Sequence, residues 1–231
     1  MHFKSFIYIF WITLALLGGC EASAPPTQAG KMLLMPASYS GIDFSNQLSD
    51  TETFNILNYL YYYNGGGVAI ADFDRDSLPD IFFTANQLPN RLYRNEGAFR
   101  FADISSQAGI EGPADSWSTG VSIADVNQDG WPDIYVSQLG DYLDKKGHNL
   151  LYINQGDLTF REAAAEYNLD LVGFSTQAVF FDYDRDGDLD MFQLNHSIRP
   201  SETVGDIKQR DQRDPLSGDK LLRNDNGQYV D

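Results

Sequence analysis

One short acidic pattern, written three times along the chain, limits what the sequence can fold into. Asp72-Phe73-Asp74-Arg75-Asp76-Ser77-Leu78-Pro79-Asp80, Asp125-Val126-Asn127-Gln128-Asp129-Gly130-Trp131-Pro132-Asp133 and Asp182-Tyr183-Asp184-Arg185-Asp186-Gly187-Asp188-Leu189-Asp190 align without a gap. Side-chain oxygens recur at positions 1, 3, 5 and 9: Asp72, Asp74, Asp76 and Asp80; Asp125, Asn127, Asp129 and Asp133; Asp182, Asp184, Asp186 and Asp190. Hard oxygen donors in this number suit calcium, which accepts six to eight of them at irregular angles, better than magnesium or zinc. The main-chain carbonyl at position 7, from Leu78, Trp131 and Asp188, completes such a girdle. Gly130 and Gly187 at position 6 permit the sharp turn around an ion. The expectation is therefore Ca2+, about three ions, one per loop.

The competing loop is the EF-hand, which shares the first half of the pattern but closes with a bidentate Glu at position 12. Phe83, Val136 and Gln193 stand there instead. The closing ligand is then the Asp at position 9, and the third loop, with four carboxylates and its glycine, should bind most tightly. The first is handicapped by Ser77, because a left-handed residue other than glycine costs on the order of 1 kcal/mol.

Short apolar runs flank every loop: Val68–Ala71 and Ile81–Phe83, Val121–Ala124 and Ile134–Val136, Val179–Phe181 and Met191–Leu194. A second pair follows in each copy, Arg91–Arg94 with Phe99–Phe101, Leu150–Ile153 with Leu158–Phe160, and Lys220–Arg223 with Gln228–Val230. Asn-Gly turns join each second pair, and such residues accept the positive φ of tight hairpins. The loops start 53 and then 57 residues apart. Four short strands, repeated three times, read as an all-β fold of β-propeller blades: three four-stranded antiparallel blades of an incomplete ring, at about 65–110, 118–169 and 174–231. Hairpins this short are marginal alone, so the blades must pack face to face.

The 231 residues carry 33 acidic against 16 basic side chains, a net charge of −17, and 26 of the acidic ones are Asp. Nucleic acid and anionic lipid surfaces are excluded as partners by repulsion; cations are favoured. At the N-terminus, Lys4 precedes an apolar run of about twelve residues, Phe6–Leu17, the length of a secretory h-region and too short for a membrane span. Residues 1–19 read as a lipoprotein signal peptide, since Leu17-Gly18-Gly19-Cys20 resembles a bacterial lipobox in which Cys20 takes the lipid. Residues 20–30 then form a flexible tether and 31–231 the partial propeller. Cys20 is the sole cysteine, so no internal disulfide is available and bound metal can serve as the staple.

On these residues the chain resembles the FG-GAP/VCBS repeat family, the calcium-loop propellers also found in integrin α chains. Gly41-Ile42-Asp43-Phe44-Ser45-Asn46, Asn64-Gly65-Gly66-Gly67 and Leu194-Asn195-His196-Ser197 resemble more narrowly the bacterial lipoproteins that carry such repeats ahead of an ASPIC/UnbV-type domain. The resemblance implies a ring of six to eight blades, so this chain reads as part of one. It also implies an exported protein, lipid-anchored to the bacterial envelope at its outer membrane. Leu33–Ile42 lines up with Phe101–Ile110, which predicts that the N-terminal segment is the fourth strand of a further blade, and that the third blade leaves an apolar flank exposed.

Two functions remain open. One is a binding, adhesion or scaffold module whose loops present a site for a protein or glycan. The other is a propeller enzyme acting on polysaccharide, a lyase or hydrolase, with calcium in a structural role. No Ser-His-Asp arrangement or phosphate loop is present, so no catalytic residue is assigned. His196, near Arg199 and Glu202, reads as part of a solvated loop, and Tyr61-Tyr62-Tyr63 as a partly buried blade strand, with a sugar-stacking platform as the alternative.

Overall fold

The computed structural model describes residues 32–197 and 214–231. The chain divides into Met1–Leu34 and Met35–Asp231. Within the second unit, each acidic loop joins the first two strands of a four-stranded antiparallel sheet. The first sheet runs in the order β1 (Val68–Ala71), β2 (Asp80–Phe83), β3 (Arg91–Asn95), β4 (Phe101–Asp103). The second is β5 (Ser118–Ala124), β6 (Asp133–Gln138), β7 (Leu150–Asn154), β8 (Phe160–Glu162), and the third β9 (Ser175–Phe181), β10 (Asp190–Asn195), β11 (Lys220–Asn224), β12 (Tyr229–Val230). Each sheet is a simple meander, so every hairpin is local in sequence. The first strands, β1, β5 and β9, lie against one another, and the sheets fan out from that edge. The all-β, blade-like fold expected from the sequence is the one observed.

Position in the fan decides the burial pattern. The middle sheet is covered on both faces, and its two central strands, Asp133–Gln138 and Leu150–Asn154, are buried at every residue. In the first sheet β2 alternates between buried and half-buried, as a strand with one well-packed face should. One core fills the space between the first two sheets, with Phe82, Leu92, Ile134, Val136 and Phe160; another fills the next gap, with Tyr135, Leu151, Met191, Leu222 and Tyr229. The far face of the third sheet leaves Val179, Phe181, Leu194, Leu221 and Val230 exposed, the apolar flank predicted for it. Register places Val179 and Leu221 on either side of Phe192, so these residues form one surface.

Two segments depart from the sequence reading. Tyr61–Tyr63 are not in a strand: residues 55–64 run as successive turns, closed by Tyr59 N–H to Asn55 O (2.9 Å), Tyr62 N–H to Tyr59 O (3.1 Å) and Asn64 N–H to Tyr61 O (3.1 Å). Burial recurs every third residue, at Tyr59 and Tyr62, which matches turns and not the two-residue alternation of a strand. With Phe54, Trp117, Leu139 and Phe174 these tyrosines build a third core that caps one end of the fan. Trp117 packs edge-on to Phe54 at 4.9 Å and lies 5.2 Å from Tyr62.

The second departure is in Leu33–Ile42, where residues 32–36 form no strand. A strand exists only beside a partner that satisfies its backbone, and no described segment pairs with this one. What the alignment found is the element after the strand: α1 (Ala37–Ser40), α2 (Ser105–Ala108) and the 3-10 turn Ala164–Tyr167 are equivalent single turns. Left-handed Gly41, Gly109 and Asn168 close them, with φ of 80°, 76° and 58°.

Candidate metal centres

The position-9 Asp is the anchor of each loop. Asp80, Asp133 and Asp190 are at most 1% exposed, and both carboxylate oxygens of each are engaged by the backbone. Oδ2 accepts from the N–H at loop position 2: Phe73 (3.1 Å), Val126 (2.9 Å) and Tyr183 (2.9 Å). Oδ1 accepts from the N–H of the Asn that ends the third strand: Asn95 (2.8 Å), Asn154 (2.9 Å) and Asn224 (2.8 Å). That Asn answers by donating its Nδ2 to the carbonyl before the Asp, on Pro79, Pro132 and Leu189. Its Oδ1 accepts from a turn glycine: Gly97, Gly156 or Gly227. An Asp–Asn clasp therefore ties each loop to the hairpin of its own blade. In the sequence these asparagines read only as turn residues; they lie 15, 21 and 34 residues beyond the position-9 Asp, so what they share is their place at the end of the third strand, just ahead of a turn glycine.

The other loop oxygens fold the loop on itself. Asp72 accepts from Asp76 N–H (3.1 Å) and Ser77 N–H (2.8 Å), and Asp125 from Asp129 N–H (3.0 Å) and Gly130 N–H (2.7 Å). Asp182 accepts from Arg185 N–H (2.6 Å) and Gly187 N–H (3.2 Å). The position-5 carboxylates receive the N–H of position 7: Leu78 at 2.7 Å, Trp131 at 2.8 Å and Asp188 at 3.1 Å.

Positions 1, 3 and 9 converge. One carboxylate oxygen from each of Asp72, Asp74 and Asp80 lies within 4.8 Å of the others, and the same holds for Asp182, Asp184 and Asp190. With Ca–O bonds of about 2.3–2.6 Å, two ligands of one ion are separated by at most about 5 Å, so both groups fit a calcium sphere. In the second loop position 3 is Asn127, an amide oxygen in place of a carboxylate, and its Oδ1 accepts from Asp129 N–H at 3.1 Å. Asp76, Asp129 and Asp186 stand at the rim as turn caps, outside these three-carboxylate groups.

The electrostatics point the same way. Burial pushes Asp80 and Asp133 up to about 6, against the opposing pull of their backbone hydrogen bonds. Asp74 and Asp184 are also raised, first by desolvation and then by neighbouring carboxylates. Asp188 is raised by desolvation and by Asp186, and its buried Oδ1 has no hydrogen-bond partner. A cation held between positions 1, 3 and 9 would offset the penalties on Asp74, Asp80, Asp133 and Asp184.

Each loop turns left-handed at two places. Position 6 is left-handed in all three, with φ of 71° at Ser77, 88° at Gly130 and 100° at Gly187, as the glycines predict. Position 4 is left-handed too, at Arg75 (60°), Gln128 (57°) and Arg185 (66°), which nothing in those residue types announces. In the first two loops the position-4 side chain reaches the next blade. The Arg75 guanidinium lies 4.3 Å from the Trp131 ring centre, and Gln128 Nε2 donates to the Gly187 carbonyl at 3.0 Å.

The opposite ends of β1, β5 and β9 border a cavity of about 400 Å3. Glycine backbone, from Gly65–Gly67 and Gly120, forms much of its wall. A Cβ at 120 would sit 2.2 Å from the Thr176 carbonyl oxygen and 2.0 Å from Gln177 Oε1, so only glycine lets β5 and β9 approach this closely. Thr119 Oγ1 donates across the gap to Ser175 O (2.8 Å), and Thr84 Oγ1 to Thr119 O (2.6 Å). His196, expected in a solvated loop, is half-buried here. Its Nε2 meets Tyr59 Oη and its Nδ1 meets Thr176 Oγ1, both at 3.1 Å, and its ring lies 4.2 Å from that of Tyr61. Burial lowers its pKa to about 4, so it is neutral. Its sequence neighbours Arg199 and Glu202 lie outside the described residues, as do Cys20 and the signal and tether segments.

Comparison with known proteins bears on the loops. The FG-GAP-like repeat family matches residues 72–136, which include the first two loops. Cartilage acidic protein 1 of Mus musculus is 30% identical over 165 residues, 67% of this chain and 24% of that protein. The Homo sapiens protein of that name is 29% identical over 160 residues, 67% of this chain and 23% of its own length. The one from Xenopus tropicalis is 28% identical over 141 residues, covering 60% and 21%. The chain thus spans about a quarter of the length of the curated relatives it matches.

Proposed function

We propose that this chain is a segment of a calcium-stapled propeller that acts as a binding module for a protein or glycan, with the metal rigidifying each blade. The observation that carries the reading is the convergence of positions 1, 3 and 9, at Asp72, Asp74 and Asp80 and again at Asp182, Asp184 and Asp190. Three carboxylate oxygens that close repel one another unless a cation joins them, and the backbone of both loops already folds around the position-1 carboxylate. Their chemistry is that of hard-oxygen coordination with no open nucleophile, which favours a structural metal over a catalytic one. The match to the FG-GAP-like repeat supports the same division between a rigid scaffold and presenting loops.

Export and anchoring complete the proposal. Cys20 carries the lipid after cleavage behind Gly19, and holds the module at the outer membrane of a bacterial envelope. Calorimetric titration of the metal-stripped protein with calcium tests the central claim. Up to three sites are expected, with melting temperature rising on loading; no heat and no thermal shift would overturn it. Mass spectrometry of the mature N-terminus separately tests the lipid on Cys20.

A further inference from the structure

The cavity between the cap and the starting ends of β1, β5 and β9 has a composition unlike the rest of the molecule. The chain carries 33 acidic and 16 basic residues, yet among the described residues no Asp, Glu, Lys or Arg lines this cavity. Its walls are glycine backbone, aromatic rings and uncharged hydrogen-bonding groups. A charged ligand entering it loses hydration and finds no counter-charge among these residues. A wholly apolar ligand would strand the polar groups there.

Those polar groups have a definite sense. Gln177 donates its Nε2 to Val121 O (2.9 Å) and Ser122 Oγ (3.0 Å), which leaves Oε1 as an acceptor. Thr119, which lines the cavity, spends its hydroxyl proton on Ser137 O (3.0 Å) and Ser175 O (2.8 Å), so its oxygen keeps acceptor capacity only. Asn64 contributes an exposed amide. The aromatic contribution is a single open ring. Tyr59 and Trp117 are each 1% exposed and pack edge-on against one another at 5.8 Å. Tyr61 is half-exposed and is held by its hydroxyl donating to Ser197 O (3.3 Å) and by the neutral His196 ring. One face is a stacking platform; a cage for a quaternary ammonium needs rings on several sides.

We infer that this cavity is a binding site for a neutral sugar ring, which lays its C–H face on Tyr61 and donates hydroxyl hydrogens to Gln177 Oε1 and Thr119 Oγ1. The volume suits one or two rings. This rests on the binding-module reading and narrows its ligand to uncharged carbohydrate.

The test is a titration of the calcium-saturated full chain with a panel of neutral pyranosides, followed by calorimetry and saturation-transfer NMR. Glucuronate and tetramethylammonium serve as charged probes. Saturable binding is expected for at least one neutral sugar and for neither charged probe. Tyr61→Ala and Gln177→Leu should each weaken it about tenfold, the loss of one stacked ring or one ligand hydrogen bond. Tyr61→Phe should retain it. Calcium affinity of the variants should match the parent, which shows that the blades are folded; the melting temperature should hold for Tyr61→Phe and fall modestly for Gln177→Leu, which also gives up the Nε2 bonds to Val121 O and Ser122 Oγ. The inference is overturned if no neutral sugar saturates, if a charged probe binds as tightly, or if Tyr61→Ala leaves binding unchanged. Calcium binding without sugar binding defeats this inference alone; sugar binding without calcium binding defeats the proposed staple alone.

Discussion

The two ends of the first strands make opposite electrostatic environments out of one repeat. β1, β5 and β9 leave a cavity with no charged wall residue among the described residues and run into loops of clustered carboxylates. Seven-residue β5 and β9 set these ends about 20 Å apart, two Debye lengths or more at physiological salt. The difference teaches how a strongly acidic chain can keep a neutral site: its carboxylates are concentrated where a cation can hold them. It also separates what stabilises the blades from what a ligand would touch, and each end can be perturbed while the other is read.

The largest effect is expected at the clasp. Asp133→Ala removes both acceptors for the buried N–H groups of Val126 and Asn154. At about 1–3 kcal/mol for each stranded donor, the loss is on the order of 4 kcal/mol. Asp129→Ala in the same loop, at the solvated rim, should cost under about 1 kcal/mol. Urea unfolding in chelator separates the two, and equal losses would show that the clasp is not the anchor. Next comes Gly120→Ala at the opposite end. Its Cβ meets the Thr176 backbone, a contact no side-chain rotation relieves, and should cost about 1–3 kcal/mol with calcium affinity unaltered. A change in calcium affinity would mean that the two ends are coupled through the strand.

Much of this was legible in the sequence because the repeat is read at two levels at once. Asp and Gly at fixed positions announced the loop, and the apolar runs beside it announced strands, so the three sheets and their order followed. Left-handed position 6 followed from Gly130 and Gly187, and its extension to Ser77 came from alignment alone. The clasp was not legible, because Asn95, Asn154 and Asn224 also satisfy the requirements of a hairpin turn, and one sufficient reason concealed the other. Nor was the cap. Tyr59–Tyr63 has the composition of a strand, and only the turn bonds reveal its period. His196 is placed by Tyr59 and Thr176, which stand 137 and 20 residues away in sequence. No local pattern carries such a contact.

Proton competition sharpens the acidic end next. Asp80 and Asp133 titrate near 6 when metal-free, above the ordinary carboxylate value, so protons and calcium compete below that pH. With one proton displaced per site, calcium affinity of the first two loops should fall about tenfold between pH 7 and pH 5. In chelator the sign reverses for stability. A carboxyl whose folded pKa is raised favours the folded state while protonated, so that contribution is present below about pH 4 and is lost as pH rises through about 6. Calorimetry at several pH values and melting curves in chelator check both slopes. A calcium affinity flat from pH 7 to pH 5 would place the buried carboxylates outside the metal's reach.

The smallest effect isolates backbone strain from ligand chemistry. Ser77 holds φ of 71° where the other two loops have glycine, and its side chain is exposed, so Ser77→Gly changes the conformational cost and little else. The substitution should stabilise the folded loop by about 1 kcal/mol, less the entropy that glycine adds to the unfolded chain. Because the calcium-free loop is already left-handed at this residue, the gain should appear in chelator as well as in calcium. If it appears only with calcium, the turn is made by the ion. Affinities ranking third loop, second, first in the parent, with the first rising only in that case, would tie the order of the loops to their backbone and not to their charge. An unchanged first loop in both conditions would leave carboxylate count as the sole determinant, and would place the second loop, with Asn127, last.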